Sequence, residues 1–394
     1  MGLAPVVGAR GVKVALVHDW LTGMRGGERV LERVARCFPG ADIHTLVWHR
    51  GSVSAELERH PIHTSFLDRL PSADTRYRWF LPLFPRAVES LDLSAYDAVV
   101  SISHAVAKAA RARPGAPHVS LVLTPMRYVW DLEPQYFPPG RFPWPLSAYV
   151  RRTCSRLRRW DRATAGRPTH LVSISRHVAE RVRRHWSRES QVVYPHVDVE
   201  RFSPWNGERS YYLLAGAFAP YKRLDLALAA FARLHRPLLV VGGGQEEARL
   251  HAAAPRGTEF RAGVSDDELA RLIAGARAFI FPGEEDFGIM PLEAMASGTP
   301  VIAYGRGGAL ETVGRGATAD ALERIAAGGV ARVPGGMLFG TQTADAIAGA
   351  VAAFEKETFE PSALAALARP FSGERFDAEI RGVLASAGIP VDGA

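Results

Sequence analysis

Lysine is nearly missing from this 394-residue chain: Lys13, Lys108, Lys222 and Lys356 stand against 44 Arg. Cysteine is scarcer still. Cys37 and Cys154 are too few for a disulfide framework or a zinc-binding thiolate cluster, and a reducing cytoplasm suits them. No run approaches about eighteen apolar residues, so the chain is not expected to span a bilayer. The first residues lack a basic stretch followed by a long apolar one, and we read no signal peptide there. The dinucleotide fingerprint Gly-x-Gly-x-x-Gly is absent too. The first turn reads Gly23-Met24-Arg25-Gly26-Gly27, which disfavours a nicotinamide-dependent dehydrogenase.

What is present is an ordinary globular balance, 47% apolar and 23% charged, over a length that suggests two domains of similar size. The net charge of +7 is unevenly spread. Residues 141–190 hold thirteen Arg and, as acids, Asp161, Glu180 and Glu189. Part of this is a solvated helix face. Mixed with Trp144, Tyr149, Trp160 and Trp186, it also suits an anionic membrane surface or a polyanionic substrate. No recognised nucleic-acid module accompanies the charge, so we expect no nucleic-acid partner.

Val12–His18 reads as a buried strand, followed by the loop Asp19–Arg25 and a helix from Gly27 to about Phe38. Ile43–Trp48, Asp97–Ser103, His118–Leu123 and Leu171–Ile174 read as further strands between helical stretches. After a Pro/Gly-rich join, Tyr194–Asp198 and Phe202–Gly207, the pattern restarts. Tyr211–Ala215, Leu238–Val241, Ala278–Phe281 and Val301–Ala303 are strands; Leu224–Leu234, Asp266–Ala274, Pro291–Ser297 and Thr343–Phe354 are helices. Short apolar strands alternating with helices imply parallel sheets covered on both faces. The expected fold is α/β, with two Rossmann-like doubly wound domains facing a central cleft that holds the site. We place them at residues 1–198 and 199–370. A helical segment at 371–394 could pack back on the first.

The segment Glu285-Asp286-Phe287-Gly288-Ile289-Met290-Pro291-Leu292-Glu293 follows the strand Ala278–Phe281. Gly288 lets the backbone approach a ligand, and Pro291 suits a first helical turn, where its missing N–H is no loss. Glu285 and Glu293 could then face one cleft and grip hydroxyls, beside helix N–H groups open to anionic oxygens. A loop carboxylate and a capping acid would read the same way. Gly26 and Gly27 allow a tight turn that presents N–H groups to an oxyanion, or simply a plain loop. Lys222 and Arg223 follow a strand and the Gly216 turn. They could neutralise a diphosphate or begin a solvated helix, although cations oppose the dipole at a helix start.

Together these features resemble the retaining glycosyltransferases of the two-Rossmann-domain (GT-B) class, family 4 in particular. Glu285–Glu293 looks like that family's Glu-x7-Glu motif, and Pro291–Ala303 continues it. Gly307–Val313 resembles the following turn, Tyr194–Phe202 the interdomain stretch, and Gly26-Gly27-Glu28 the N-terminal glycine loop. Thr124-Pro125-Met126-Arg127-Tyr128-Val129-Trp130-Asp131 is similar to bacterial mannosyltransferase-like members that build O-antigen or exopolysaccharide.

The resemblance implies that Glu285 holds donor sugar hydroxyls and Glu293 the nucleotide ribose. Backbone N–H groups of Phe287, Gly288, Ile289 and Met290 would hold sugar and diphosphate. Lys222, helped by Arg223, would bind the diphosphate, and Gly26 and Gly27 would close over it. No metal or other cofactor is implied. The donor would be a nucleotide diphosphate sugar, GDP-mannose first. The acceptor would be a polyprenyl-diphosphate-linked glycan at the inner face of the cytoplasmic membrane. A soluble small-molecule acceptor is one alternative, and a non-catalytic nucleotide-sugar-binding partner in polysaccharide assembly is another. Two positions depart from the pattern: Ala217 stands where the family commonly has Arg, and Leu123 where relatives have a His that contacts the donor sugar. His104 and His118 are the nearby candidates to replace it.

Overall fold

The computed structural model describes residues 12–138, 140, 142–205 and 207–391. Residues 1–11, on which the absence of a signal peptide was read, lie outside them. So do Arg141 of the Arg-rich stretch, Asn206 of the join, and residues 392–394 of the terminal segment.

The apolar runs form two seven-stranded sheets. The first contains β1 (Val14–His18), β2 (Asp42–Thr45), β3 (Ile62–Thr64), β4 (Ala98–Ser103), β5 (His118–Val122), β6 (His170–Ser173) and β7 (Gln191–Val192). Their order is β3-β2-β1-β4-β5-β6-β7, parallel throughout. β1 is central and buried along its whole length, so it reads as an unbroken apolar run. The second sheet contains β8 (Tyr211–Ala217), β9 (Leu238–Gly243), β10 (Thr258–Arg261), β11 (Ala276–Phe281), β12 (Val301–Tyr304), β13 (Val330–Val333) and β14 (Gly336–Phe339). Its order is β10-β9-β8-β11-β12-β14-β13, with β13 antiparallel to β14.

Eight helices matter below: α1 (Gly26–Ala35), α2 (Trp144–Ala163), α3 (Arg176–Trp186), α4 (Leu224–Leu234), α5 (Asp266–Ala274), α6 (Ile289–Ala296), α7 (Ala344–Phe354) and α8 (Gly373–Ser386). α4 and α7 share one core on the second sheet, while α5 and α6 share the core on its other face. The last helix belongs elsewhere. Phe376, Ile380, Val383 and Leu384 of α8 join Leu31 and Val34 of α1 and Val100 and Ile102 of β4 in the core of the first sheet. Arg33 of α1 forks Asp377 of α8 through two 2.7 Å bonds, which raises the guanidinium pKa. The chain therefore crosses between the sheets twice, and the crossings touch where Val197 N–H donates to the Phe371 carbonyl at 2.8 Å.

The Arg-rich stretch divides in two. Trp144, Leu146 and Tyr149 are exposed on α2, as are Arg151, Arg152, Arg156 and Arg159. Trp160 and Trp186 are not part of that surface, which corrects the reading above. Trp160 donates its indole N–H to Glu89 at 3.0 Å, and buried Trp186 donates to Asp161 at 2.7 Å. Asp161 also accepts from Trp130 and pairs with fully buried Lys108 at 3.1 Å. These bonds pin the inner face of α2, so the aromatics there serve packing and leave the outer face to solvent.

Candidate active site

The C-terminal ends of both sheets meet. From β11 the chain turns through Pro282–Gly288 into α6. Gly288 adopts φ +93°, a left-handed conformation that disfavours any side chain, and no side chain caps the helix it opens. The free N–H groups of that first turn point to a concentration of positive potential. The loop lies directly on Gly307 and Gly308. Gly308 N–H donates to the Glu285 carbonyl at 2.8 Å, and a Cβ on Gly308 would stand 2.3 Å from Phe287 Cα. The glycine pair is therefore the seat of the acidic loop.

Lys222 ends the short turn after β8, and its Nζ lies 2.5 Å from Glu285 Oε1. Burial pulls the ammonium pKa down, but Glu285 and Tyr221 together outweigh it and the net shift is upward. Lys222 also packs over Gly216, where a Cβ would be 3.3 Å from Nζ. Arg223 is not brought to this pair: its guanidinium forks Asp225 at 3.0 and 3.1 Å. Glu293 lies one turn inside α6. Burial pushes its carboxyl up to about 7, with Arg29 pulling against it and Asp266 adding to it. Phe287 is buried against Tyr194 and Phe371, so its backbone alone faces the loop's open side.

From the first domain, Gly26 approaches α6 so closely that a Cβ on it would be 3.2 Å from Ile289 Cδ1. A Cβ on Gly27 would stand 3.0 Å from Leu123 Cδ1 and 3.3 Å from His18 Cε1. Leu123 thus packs under the glycine turn. His118 does not replace it. It sits at the start of β5, the far end of the strand from the cleft, with its ring 2.8 Å from Ser101 Oγ and its pKa lowered by burial to about 3. His104 is nearer, its ring edge-on to Trp20 and its Nδ1 3.3 Å from Asp19. Asp19 accepts four backbone N–H bonds from residues 104–107 and so fixes that loop.

Several residues here were not singled out from the sequence. His18 is buried at the end of β1, with Nδ1 2.9 Å from the Ile102 carbonyl and Nε2 unpaired, and burial lowers its pKa. Asp286, Arg127 and Arg181 form a cross-domain ion cluster, with Arg181 Nη1 2.6 Å from Asp286 Oδ1. Ser175 Oγ donates to the Asp286 carbonyl at 2.5 Å. Glu311, after the Gly307–Gly308 seat, accepts from the N–H groups of Arg176 and His177 and from the Tyr194 hydroxyl. An acid between Glu285 and a buried Phe was the one available hint.

Residues 198–362 match the family described as glycosyl transferases group 1. The second domain belongs to that family. Over 178 residues this chain is 31% identical to a D-inositol 3-phosphate glycosyltransferase of Streptomyces bingchenggensis, covering 36% of this chain and 39% of that protein. It is 32% identical over 160 residues to a GDP-mannose-dependent alpha-mannosyltransferase of Mycobacterium tuberculosis, covering 38% and 40%. The match thus spans about two fifths of the length of these relatives. A sucrose-phosphate synthase from Thermosynechococcus elongatus superimposes with a TM-score of 0.68 at 16% identity, over 95% of this chain and 98% of that one. That likeness establishes the fold around the group 1 domain: two Rossmann-like domains facing a cleft, the GT-B architecture. Among the described residues, no group of three or more His, Cys, Asp or Glu could hold a metal ion, and no helix is long and apolar enough to cross a membrane.

Proposed function

We propose that this protein transfers a hexose from a nucleotide diphosphate sugar to a hydroxyl acceptor, with retention at the anomeric carbon. The observation that carries the reading is the Lys222–Glu285 pair beside the uncapped start of α6. Glu285 accepts from sugar hydroxyls, Glu293 from the ribose, and Lys222 and the backbone N–H groups of Phe287–Met290 face the diphosphate. Arg223, tied to Asp225, ranks behind Lys222 as a helper. Gly26 and Gly27 close the cleft from the opposite side. The bond between the anomeric carbon and the diphosphate oxygen breaks as the acceptor oxygen bonds to the same face. The acceptor proton passes to the leaving phosphate, whose growing charge the cation and the helix start stabilise without a bound metal.

GDP-mannose is the favoured donor, supported by the Thr124–Asp131 resemblance and by the mannosyltransferase relative. The favoured acceptor is a glycan on a polyprenyl diphosphate, met at the inner face of the cytoplasmic membrane. The exposed Trp144, Leu146 and Tyr149, flanked by the Arg residues of α2, support that surface. On this reading residues 1–198 form the acceptor side, 199–370 the donor side, and 371–394 return to the first domain.

The test is calorimetric titration with GDP-mannose, UDP-glucose, UDP-N-acetylglucosamine and dTDP-sugars, followed by a transfer assay. Selective binding of one donor, weakened about tenfold or more in Lys222→Ala, supports the reading. Tight binding without turnover on lipid-linked acceptors would instead favour a non-catalytic binding partner.

A further inference from the structure

We propose that Arg127 is a cation that the first domain contributes to the donor diphosphate, an inference that rests on the nucleotide-sugar reading above. Asp286, between Glu285 and Phe287, is buried and takes guanidinium groups from two arginines of the first domain. The two arginines differ. Arg181 is enclosed and saturated: besides Asp286 it donates to Asp131, to Thr124 Oγ1 and to the Pro125 carbonyl. Its bond goes to Asp286 Oδ1, and Arg127 is the group that reaches Oδ2.

Arg127 has Asp286 as its one ionic partner among the described residues, and its side chain remains 21% exposed. Its Cζ lies 5.1 Å over the ring of Tyr221, the residue next to Lys222. Burial works against its charge, and Asp286, Tyr221 and Glu285 together outweigh it. A planar fork with unused donors is therefore held beside the Lys222–Glu285 pair. Within the second domain, Lys222 is already matched by Glu285 and Arg223 by Asp225. A diphosphate needs more positive charge than one matched ammonium offers, and a guanidinium suits phosphate oxygens through two parallel bonds. Arg127 belongs to the opposite domain, so its charge comes to the diphosphate from across the cleft.

The test is titration of the full chain with GDP, GMP, UDP and UMP, in the wild type and in Arg127→Gln, Arg127→Lys and Lys222→Ala. The expected result is that Arg127→Gln weakens diphosphate binding about tenfold or more while monophosphate affinity holds, with a lower melting temperature from the unpaired Asp286 Oδ2. Arg127→Lys should keep part of the preference. If Arg127→Gln leaves the diphosphate preference intact, or weakens both nucleotide classes equally, while Lys222→Ala still removes that preference, the role of Arg127 is overturned and the nucleotide-sugar reading stands. Wild-type protein that binds none of the four overturns both.

Discussion

Glu293 carries a titration that should be visible in the intact protein. Its carboxyl is held up to about 7 by burial, above its ordinary 4.5. A raised folded-state value means the native protein takes up a proton that the unfolded chain would release. This contribution to stability is complete below about 4.5 and is lost as pH rises through 7. Unliganded Glu293→Gln should therefore melt higher than wild type at pH 8 and level with it at pH 5, while donor affinity falls at both. Equal melting curves at pH 8 would mean that the carboxyl is solvated. At Gly308 the obstacle is backbone, which cannot step aside. Gly308→Ala should destabilise by about 1–3 kcal/mol and weaken donor binding together. Glu285, Lys222, Gly288 and Glu293 could be read from the sequence because one short run and one post-strand turn carry them. Arg127, Arg181 and His18 could not, because their partners are set by tertiary contacts across long sequence separations.

Among the elements, α2 and α8 make separable predictions. Reversing Arg151, Arg152, Arg156 and Arg159 to Glu should abolish binding to anionic vesicles and leave the melting temperature nearly unchanged, since these side chains are exposed. Arg158 is unsuitable for that set because it pairs with Glu133 under the helix. In α8, Ile380 is fully buried in the first domain's core, and Ile380→Ala should lower stability by about 2–5 kcal/mol in a denaturant titration. The central strands β1, β4, β8 and β11 were legible because burial on both faces makes them continuous apolar runs. β3, β7, β10 and β13 were not. Each lies at a sheet edge with one partner, is short, and carries polar residues that blur the pattern. β14 is buried but only four residues long, directly behind Pro334-Gly335.

For the molecule as a whole, the domains are joined by charge as much as by chain. Glu311 caps α3 from the second domain, so Glu311→Ala should remove about 1–2 kcal/mol of stability and speed hydrogen exchange at Arg176 and His177. Unchanged exchange there would show that water replaces the carboxylate without loss. Sequence patterning gave the two-sheet plan and the cleft proposed as the site, but not which side chains would bridge the domains. The placement of α8 has one more consequence, for the order in which the molecule is made. The core of the first sheet includes Phe376, Ile380, Val383 and Leu384. The first sheet therefore cannot close its core until residues 376–384 have left the ribosome, long after its last strand, whereas the second sheet's core needs the chain only as far as Phe371.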